Sequence, residues 1–156
     1  VTDIAGFSAA SELVALELNK EMIEIGKLRD NMEERLKTAI PYIHVNGESA
    51  PRLPNTSNLM FEYTEGEGLV ISLDLKGIAV STGSACSSGS LEPSHVLKAI
   101  GKNPGEAFGS LRISLSSLTT SAEIDYFIEV LPGIVERLRK LSPRYSEANE
   151  FRKFSR

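Results

Sequence analysis

The sequence predicts an α+β fold in which a small mixed sheet of three to four strands is covered by long helices. Two observations predict it. Long segments near both ends have apolar residues at helical spacing, and short segments between them have the length and composition of strands. Helices that cover one face of a small sheet are typical of this layered class. With 156 residues and 41% hydrophobic content, the chain is large enough to bury a core of its own.

The first predicted element is a long amphipathic helix over residues 8–40. Apolar residues recur at steps of three, four and seven on one face, and charged residues fill the other face. The apolar stripe comprises Leu13, Leu18, Met22, Ile25, Leu28, Met32 and Leu36. Such a stripe is expected to pack against the sheet. Pro41 is expected to end the helix.

Short elements follow the long helix. The segments "YIHV" (42–45), "SNLMFEY" (57–63) and "IAV" (78–80) are predicted strands. The run "LVISLDLKG" between the last two is a predicted helix that stops at Gly77. A further short helix is predicted to begin near Pro93 and to stop at Gly101.

A strand and a long helix complete the predicted fold. In residues 109–118, Arg112 and serines alternate with leucine and isoleucine, which is the period of a strand with one buried face. The helix that follows starts with a capping box of Thr120 and Glu123. Its predicted buried stripe comprises Ile124, Phe127, Ile128, Leu131, Val135 and Leu138.

Composition narrows the classes of function. The net charge is −4 without clustered basic residues, which argues against nucleic-acid binding. No apolar run reaches the roughly 20 residues of a membrane-spanning helix, and the N-terminus lacks the basic region of a secretory signal. A single cysteine favours a cytoplasmic protein without disulfides, and one Cys with two distant His predicts no metal site. A start at Val1 is expected for a fragment or a processed chain.

The single cysteine, Cys86, lies in the glycine- and serine-rich stretch "STGSACSSGS" (81–90). It is either a small buried residue or a reactive thiol, and a redox sensor is one form of the second. Glycine and serine offer little apolar surface, so residues 82–90 are expected to form an exposed, mobile loop. A phosphate cradle is a weaker alternative, because the stretch lacks the lysine and spacing of a P-loop.

Arg112 is the second candidate site residue. It is either an exposed cross-strand arginine or a clamp for a carboxylate, which a guanidinium on a rigid strand binds with two parallel hydrogen bonds.

Three stretches resemble the cysteine desulfurases of the NifS/IscS type. They are "PNTSNLMFEYTEGEGLVISLDLKGIAVS" (54–81), "VSTGSACSSGSLEPSHVLKAIG" (80–101) and "SLRISLSSLTTSAEIDYFIEVLPGIVERLRKLSP" (110–143), so the resemblance covers nearly the whole chain. It implies the small C-terminal domain of a pyridoxal-phosphate enzyme of the aminotransferase fold. In that reading residues 1–40 form a connecting helix, 41–143 the core with the cysteine loop, and 144–156 a tail.

The resemblance also implies roles and partners. Cys86 would be the nucleophile that takes sulfur from L-cysteine as a persulfide, leaving L-alanine, and passes it to an iron–sulfur scaffold or another acceptor protein. Arg112 would bind the substrate α-carboxylate. The full-length enzyme is expected to be a homodimer, acting in nitrogen fixation or in general iron–sulfur assembly. Where the family often has a glycine and a basic residue, Ser116 and Ser117 stand here.

Pyridoxal phosphate is expected in the large domain and not on this chain alone, because no lysine follows a histidine here. His44 and His95 do not match the catalytic histidine of the family. The chain alone is therefore expected to be inactive. The alternative function is a noncatalytic sulfur-relay or scaffold-docking domain of the same fold.

Overall fold

The computed structural model describes residues 1–82 and 94–146. The named helices are α1 (Thr2–Ala39), α2 (Gly66–Asp74), α3 (His95–Ala99), α4 (Pro104–Ala107) and α5 (Ser121–Lys140), and the strands are β1 (Ile43–Val45), β2 (Thr56–Phe61) and β3 (Ser110–Ser114). Residues 143–146 are also helical. The predicted α+β class is confirmed. The predicted start of a helix near Pro93, most of the predicted cysteine loop and residues 147–156 of the predicted tail lie outside the described residues.

The described strands form one sheet in the order β1-β2-β3, and both pairings are antiparallel. The prediction of a mixed sheet is therefore wrong about strand direction. The predicted strand at 78–80 is also wrong. Residues 78–80 are not in a strand, and the next residue, Ser81, pairs with Arg112 of β3 as an isolated bridge. One bridge pairs too little backbone to make a strand.

The hydrophobic core lies between one face of the sheet and the three longer helices. Alternate residues of the strands point into it, because successive side chains of a strand face opposite sides. The buried core positions on the sheet are Ile43, Leu59, Phe61, Leu111 and Ile113, and those on the helices include Met32, Leu36, Leu69, Leu73, Phe127 and Leu131. This face stabilises the fold through burial of apolar surface.

Only the C-terminal half of α1 packs as predicted. Met32 and Leu36 are fully buried, whereas the side chains of residues 1–20 are exposed. Leu13 and Leu18 were expected in the buried stripe but are 58% and 45% exposed. Within the described part of the chain, no other element covers this half of the helix. Helical spacing therefore identified the apolar face correctly, but it could not indicate where along the helix a partner ends.

The last helix confirms its prediction. The Thr120 hydroxyl oxygen accepts a hydrogen bond from the Glu123 backbone N–H, and the Glu123 carboxylate accepts one from the Thr120 backbone N–H, which is the predicted capping box. The hydrogen bonds that the Glu123 carboxylate accepts from the Thr120 backbone N–H and hydroxyl hold the pKa of this carboxyl below its usual value. Five of the predicted stripe residues are buried and one is half-buried: Ile124, Phe127, Ile128, Leu131 and Val135, then Leu138.

A second capping box begins α4, which was not predicted. The Asn103 side chain accepts from the Glu106 backbone, and Glu106 accepts from the Asn103 backbone. The short loop after α4 brings β3 against the end of β2 through Gly109. A Cβ at Gly109 would lie 2.4 Å from the Phe61 carbonyl oxygen, so only glycine allows this approach.

Arg139 joins the end of α5 to the β1–β2 hairpin. Its guanidinium donates to the carbonyl oxygens of Glu62 and Tyr42 at 3.0 and 3.1 Å, and it lies 5.8 Å from the ring centroids of Tyr42 and Tyr145. Tyr42 and Tyr63 both have left-handed backbones, with φ of 58° and 64°, and their rings meet edge to face. Tertiary contacts must offset the cost of these two conformations.

Candidate active site

Arg112 lies at the middle of β3, on the sheet face opposite the hydrophobic core. Its neighbours Leu111 and Ile113 are 0% and 6% exposed, and Leu115 beyond the strand end is 7% exposed. Arg112 itself is exposed. The alternation predicted from the sequence is therefore confirmed, and β3 holds the backbone of this arginine in a fixed orientation.

The surroundings of Arg112 are polar. Asn58 of β2 stands directly opposite, and Thr56 and Ser114 form the next pair on the same face. Toward the other end of this face Met60 and Ser110 are buried. Within residues 1–82 and 94–146, no carboxylate lies within ion-pair distance of the Arg112 guanidinium. This side chain is therefore able to bind an anion from outside the described chain.

The segment that leads to Cys86 is hydrogen-bonded to the backbone of Arg112. The Arg112 backbone N–H donates to the Ser81 carbonyl at 2.6 Å, and the Ser81 N–H donates to the Arg112 carbonyl at 3.1 Å. These reciprocal bonds fasten residue 81 to the edge of β3. Cys86 itself, and the loop expected at 82–90 apart from Thr82, lie outside the described residues. The role and mobility expected there stay predictions.

The two histidines lie elsewhere in the fold. His44 is on the same face of the sheet as Arg112, where its Nε2 contacts the Glu62 carboxylate at 2.6 Å. His95 is the first residue of α3 and is exposed. Across the described ranges, no group of three or more metal-ligating side chains comes together. In the same ranges, no helix is both long and apolar enough to span a membrane.

A pair of asparagines next to Arg112 was missed at the level of sequence. Asn46 follows β1 and donates from its side-chain Nδ2 to the Asn58 Oδ1 at 2.7 Å. Asn46 is 7% exposed and Asn58 is half-buried. The available signal was an amide side chain at position 58, directly before the apolar run Leu59, Met60 and Phe61 of a predicted strand. The contact with Asn46 could not be predicted from sequence spacing, because it joins β2 to the residue that follows β1.

The chain belongs to the class V aminotransferase family, whose model matches residues 1–127. It is 50% identical to a cysteine desulfurase of Nostoc sp. over 92% of this chain, and 46% identical to a cysteine desulfurase IscS 1 of Archaeoglobus fulgidus over 93%. It also resembles the structure of a NifS-like protein from Rickettsia africae, with 36% identity and a TM-score of 0.75 over 85% of this chain. The resemblance to cysteine desulfurases of the NifS/IscS type is confirmed.

The chain spans only part of the proteins that it matches. It covers 36% of the Nostoc protein, 38% of the Archaeoglobus protein and 34% of the Rickettsia protein. Cysteine desulfurases of the class V family are pyridoxal-phosphate enzymes in general. In the family the cofactor lysine follows a histidine. This sequence does not supply that pair, because His44 and His95 are both followed by valine.

Proposed function

We propose that this chain is the part of a cysteine desulfurase that binds the substrate carboxylate and carries its sulfur. Arg112 binds the α-carboxylate of L-cysteine, and the Cys86 thiolate receives the sulfur. The observation that carries the proposal is Arg112 itself, which is exposed between buried neighbours on the polar face of a strand. Its planar fork suits two parallel hydrogen bonds to a carboxylate.

The position of Ser81 supports a shared site for Arg112 and Cys86. Ser81 is bonded to the Arg112 backbone, and Cys86 follows it by five residues. Five extended residues span at most about 18 Å. The covalent chain therefore limits how far the thiol can be from the carboxylate-binding strand, and a substrate held by Arg112 is within reach of Cys86.

The sulfur transfer exchanges one bond for another at the substrate sulfur. The Cys86 thiolate forms an S–S bond to the substrate sulfur, and the Cβ–S bond of the substrate breaks. The electron pair stays on carbon, which takes up a proton and gives L-alanine. The sulfur becomes the outer atom of a persulfide on Cys86. Pyridoxal phosphate in the rest of the enzyme would stabilise the negative charge that develops on the substrate.

The remaining parts of the proposal concern the whole protein. The persulfide sulfur passes to an iron–sulfur scaffold or another acceptor protein, in nitrogen fixation or in general cluster assembly. The enzyme works as a homodimer. It works in the cytoplasm, a location that the single cysteine of this chain supports. Relatives named cysteine desulfurase support the general activity.

The test compares this chain with the full-length protein. Each is incubated with pyridoxal phosphate, L-cysteine and a reductant, and sulfide and alanine are assayed. The full-length protein is expected to turn over, with the visible absorbance of bound cofactor, and this chain alone is expected to be inactive because it lacks the cofactor lysine. Turnover by this chain alone would contradict the assignment of the cofactor to the rest of the enzyme. A full-length protein without cofactor absorbance would favour a noncatalytic sulfur-relay domain.

A further inference from the structure

Gly66, the first residue of α2, lies against the start of β3 and against Thr82. Its backbone N–H donates to the Phe108 carbonyl at 2.8 Å. A Cβ on this residue would lie 2.8 Å from the Ser110 carbonyl oxygen, 2.9 Å from the Phe108 carbonyl oxygen and 3.1 Å from the Thr82 Cγ2. Gly66 is helical, so it is the lack of space, and not an unusual backbone conformation, that requires glycine here.

The two carbonyls cannot readily move aside. The backbone between them is bound to β2, because the Gly109 carbonyl accepts from the Phe61 N–H at 2.9 Å. Packed backbone yields less readily than the end of a side chain. A side chain at residue 66 would therefore push the start of α2 away from β3 and from Thr82.

Ser81 and Thr82 form the base of the segment that leads to Cys86, and two different contacts hold this base. Ser81 is fastened to β3 by its two reciprocal backbone hydrogen bonds with Arg112. Thr82 is half-buried, and its methyl group lies beside Gly66 at the start of α2. The hydrogen bonds fix the backbone at Ser81, and the contact with α2 limits how Thr82 can turn.

The position of Thr82 matters for Cys86 because the two are close in the chain. Cys86 follows Thr82 by four residues, and four extended residues span at most about 14 Å. A displacement at Thr82 therefore changes the space that the thiol can reach. A misplacement of reacting groups by about 1 Å can lower a rate by about a hundredfold.

We infer that Gly66 is a positioning residue for the proposed sulfur carrier. Because residue 66 has no side chain, α2 packs against Thr82 and holds the base of the segment that bears Cys86. Gly66 acts through Thr82 and touches no reacting atom. The inference rests on the proposed function, since it concerns the step in which Cys86 receives sulfur.

The test measures persulfide formation by the full-length enzyme with its cofactor. A single-turnover reaction with L-cysteine, quenched and analysed by mass spectrometry, gives the rate at which Cys86 gains a sulfur atom. Gly66→Ala is expected to lower this rate about ten- to hundredfold, because the thiol is misplaced. The Kd of L-alanine, measured by calorimetry, is expected to change less than about twofold, because binding of an amino acid does not depend on Thr82.

Alkylation of Cys86 by iodoacetamide separates a positioning role from a general structural role. Alkylation needs the thiolate but no alignment with a bound substrate. Gly66→Ala is therefore expected to be alkylated at the wild-type rate. If slower persulfide formation is accompanied by equally slower alkylation or by weaker L-alanine binding, the whole site is disturbed and the positioning role is overturned.

Gly68→Ala is the matched control, because it makes the same change two residues later in α2. Two residues correspond to a rotation of about 200° around a helix, so the new methyl group points to another side. There it would meet the Leu138 side chain of α5 at 3.3 Å. Gly68→Ala is expected to form the persulfide within about twofold of the wild-type rate. An equal loss in both variants would contradict a specific role of Gly66.

Thr82→Ser removes only the methyl group beside Gly66, so it tests the inference even if Gly66→Ala fails to fold. It is expected to slow persulfide formation about threefold, less than a displaced backbone would. The double variant Gly66→Ala/Thr82→Ser moves one methyl group from residue 82 to residue 66. It is expected to be faster than Gly66→Ala, because the two side chains no longer collide. A double variant as slow as Gly66→Ala would show that Gly66 does not act through Thr82.

The outcomes also separate this inference from the proposed function. If the wild-type enzyme forms no persulfide on Cys86, the proposed function is wrong and the inference fails with it. If the wild-type enzyme forms the persulfide, and Gly66→Ala and Thr82→Ser form it equally fast, the inference alone is wrong and the proposed function stands.

Discussion

Two arginines of this chain occupy opposite kinds of environment. Arg139, near the end of α5, is 3% exposed and donates to two backbone carbonyls between tyrosine rings. Arg112, in the middle of β3, is exposed, and no carboxylate of the described chain lies within ion-pair distance. The Arg139 guanidinium donates its hydrogen bonds to groups of its own chain, whereas the Arg112 guanidinium has donors available for a ligand. The comparison shows that the partners of an arginine, and not its charge, separate a structural role from a binding role.

Burial has a measurable consequence for Arg139. Removal from water lowers the pKa of its guanidinium, although the group stays protonated because an arginine starts so far above neutral pH. The two carbonyl oxygens and the tyrosine rings offset this desolvation. Burial also raises the pKa of the neighbouring Tyr63 phenol. The hydrogen bonds of Arg139 therefore hold the end of α5 against the β1–β2 hairpin.

The largest expected effect concerns the cysteine on the segment fastened to Arg112. In the full-length enzyme, Cys86→Ser is expected to abolish sulfur transfer to an acceptor, because a hydroxyl is a far weaker nucleophile than a thiolate at neutral pH. Cofactor absorbance and thermal unfolding are expected to be unchanged. Transfer of labelled sulfur from L-cysteine to an acceptor protein measures the effect. A normal transfer rate would remove the persulfide role from Cys86.

A smaller effect is expected at Arg112. In the full-length enzyme, Arg112→Ala should lower kcat/KM for L-cysteine roughly ten- to hundredfold, because a charge-assisted hydrogen bond to the carboxylate is lost. Arg112→Lys is expected to restore little, since it keeps the charge and loses the fork. Steady-state kinetics and thermal unfolding are measured together. Unchanged kinetics with a Tm lower by several degrees would make Arg112 a structural arginine like Arg139.

The smallest expected effect is the converse one at Arg139. Arg139→Met should lower the free energy of unfolding by about 2 kcal/mol, because two hydrogen bonds from a charged donor are lost. The kcat/KM of the full-length enzyme should stay at the wild-type value. Lys140→Met is the matched control, because Lys140 is an exposed neighbour on the same helix that forms an ion pair with the exposed Glu136, and it should change stability less. A kinetic defect in Arg139→Met without loss of stability would contradict its structural role.

Much of the fold and one residue of the candidate site could be predicted from the sequence. Alternation along β3 placed Arg112 outside the core and Leu111 inside it. The residues Thr120 and Glu123 located the start of α5. These features depend on contacts between residues close in the sequence, and the periods of helices and strands express such contacts directly.

The tertiary structure decided the rest, because it depends on partners far apart in the chain. Residues 78–80 have the composition of a strand, but only Ser81 finds a pairing partner on β3. Leu18 has the spacing of a buried residue, yet no described element covers it. The contacts of Arg139 with Tyr42 and of Asn46 with Asn58 link separate elements, and no local pattern encodes them. Sequence periodicity determines which face a side chain takes on its own element, whereas its partner is determined by how the elements pack.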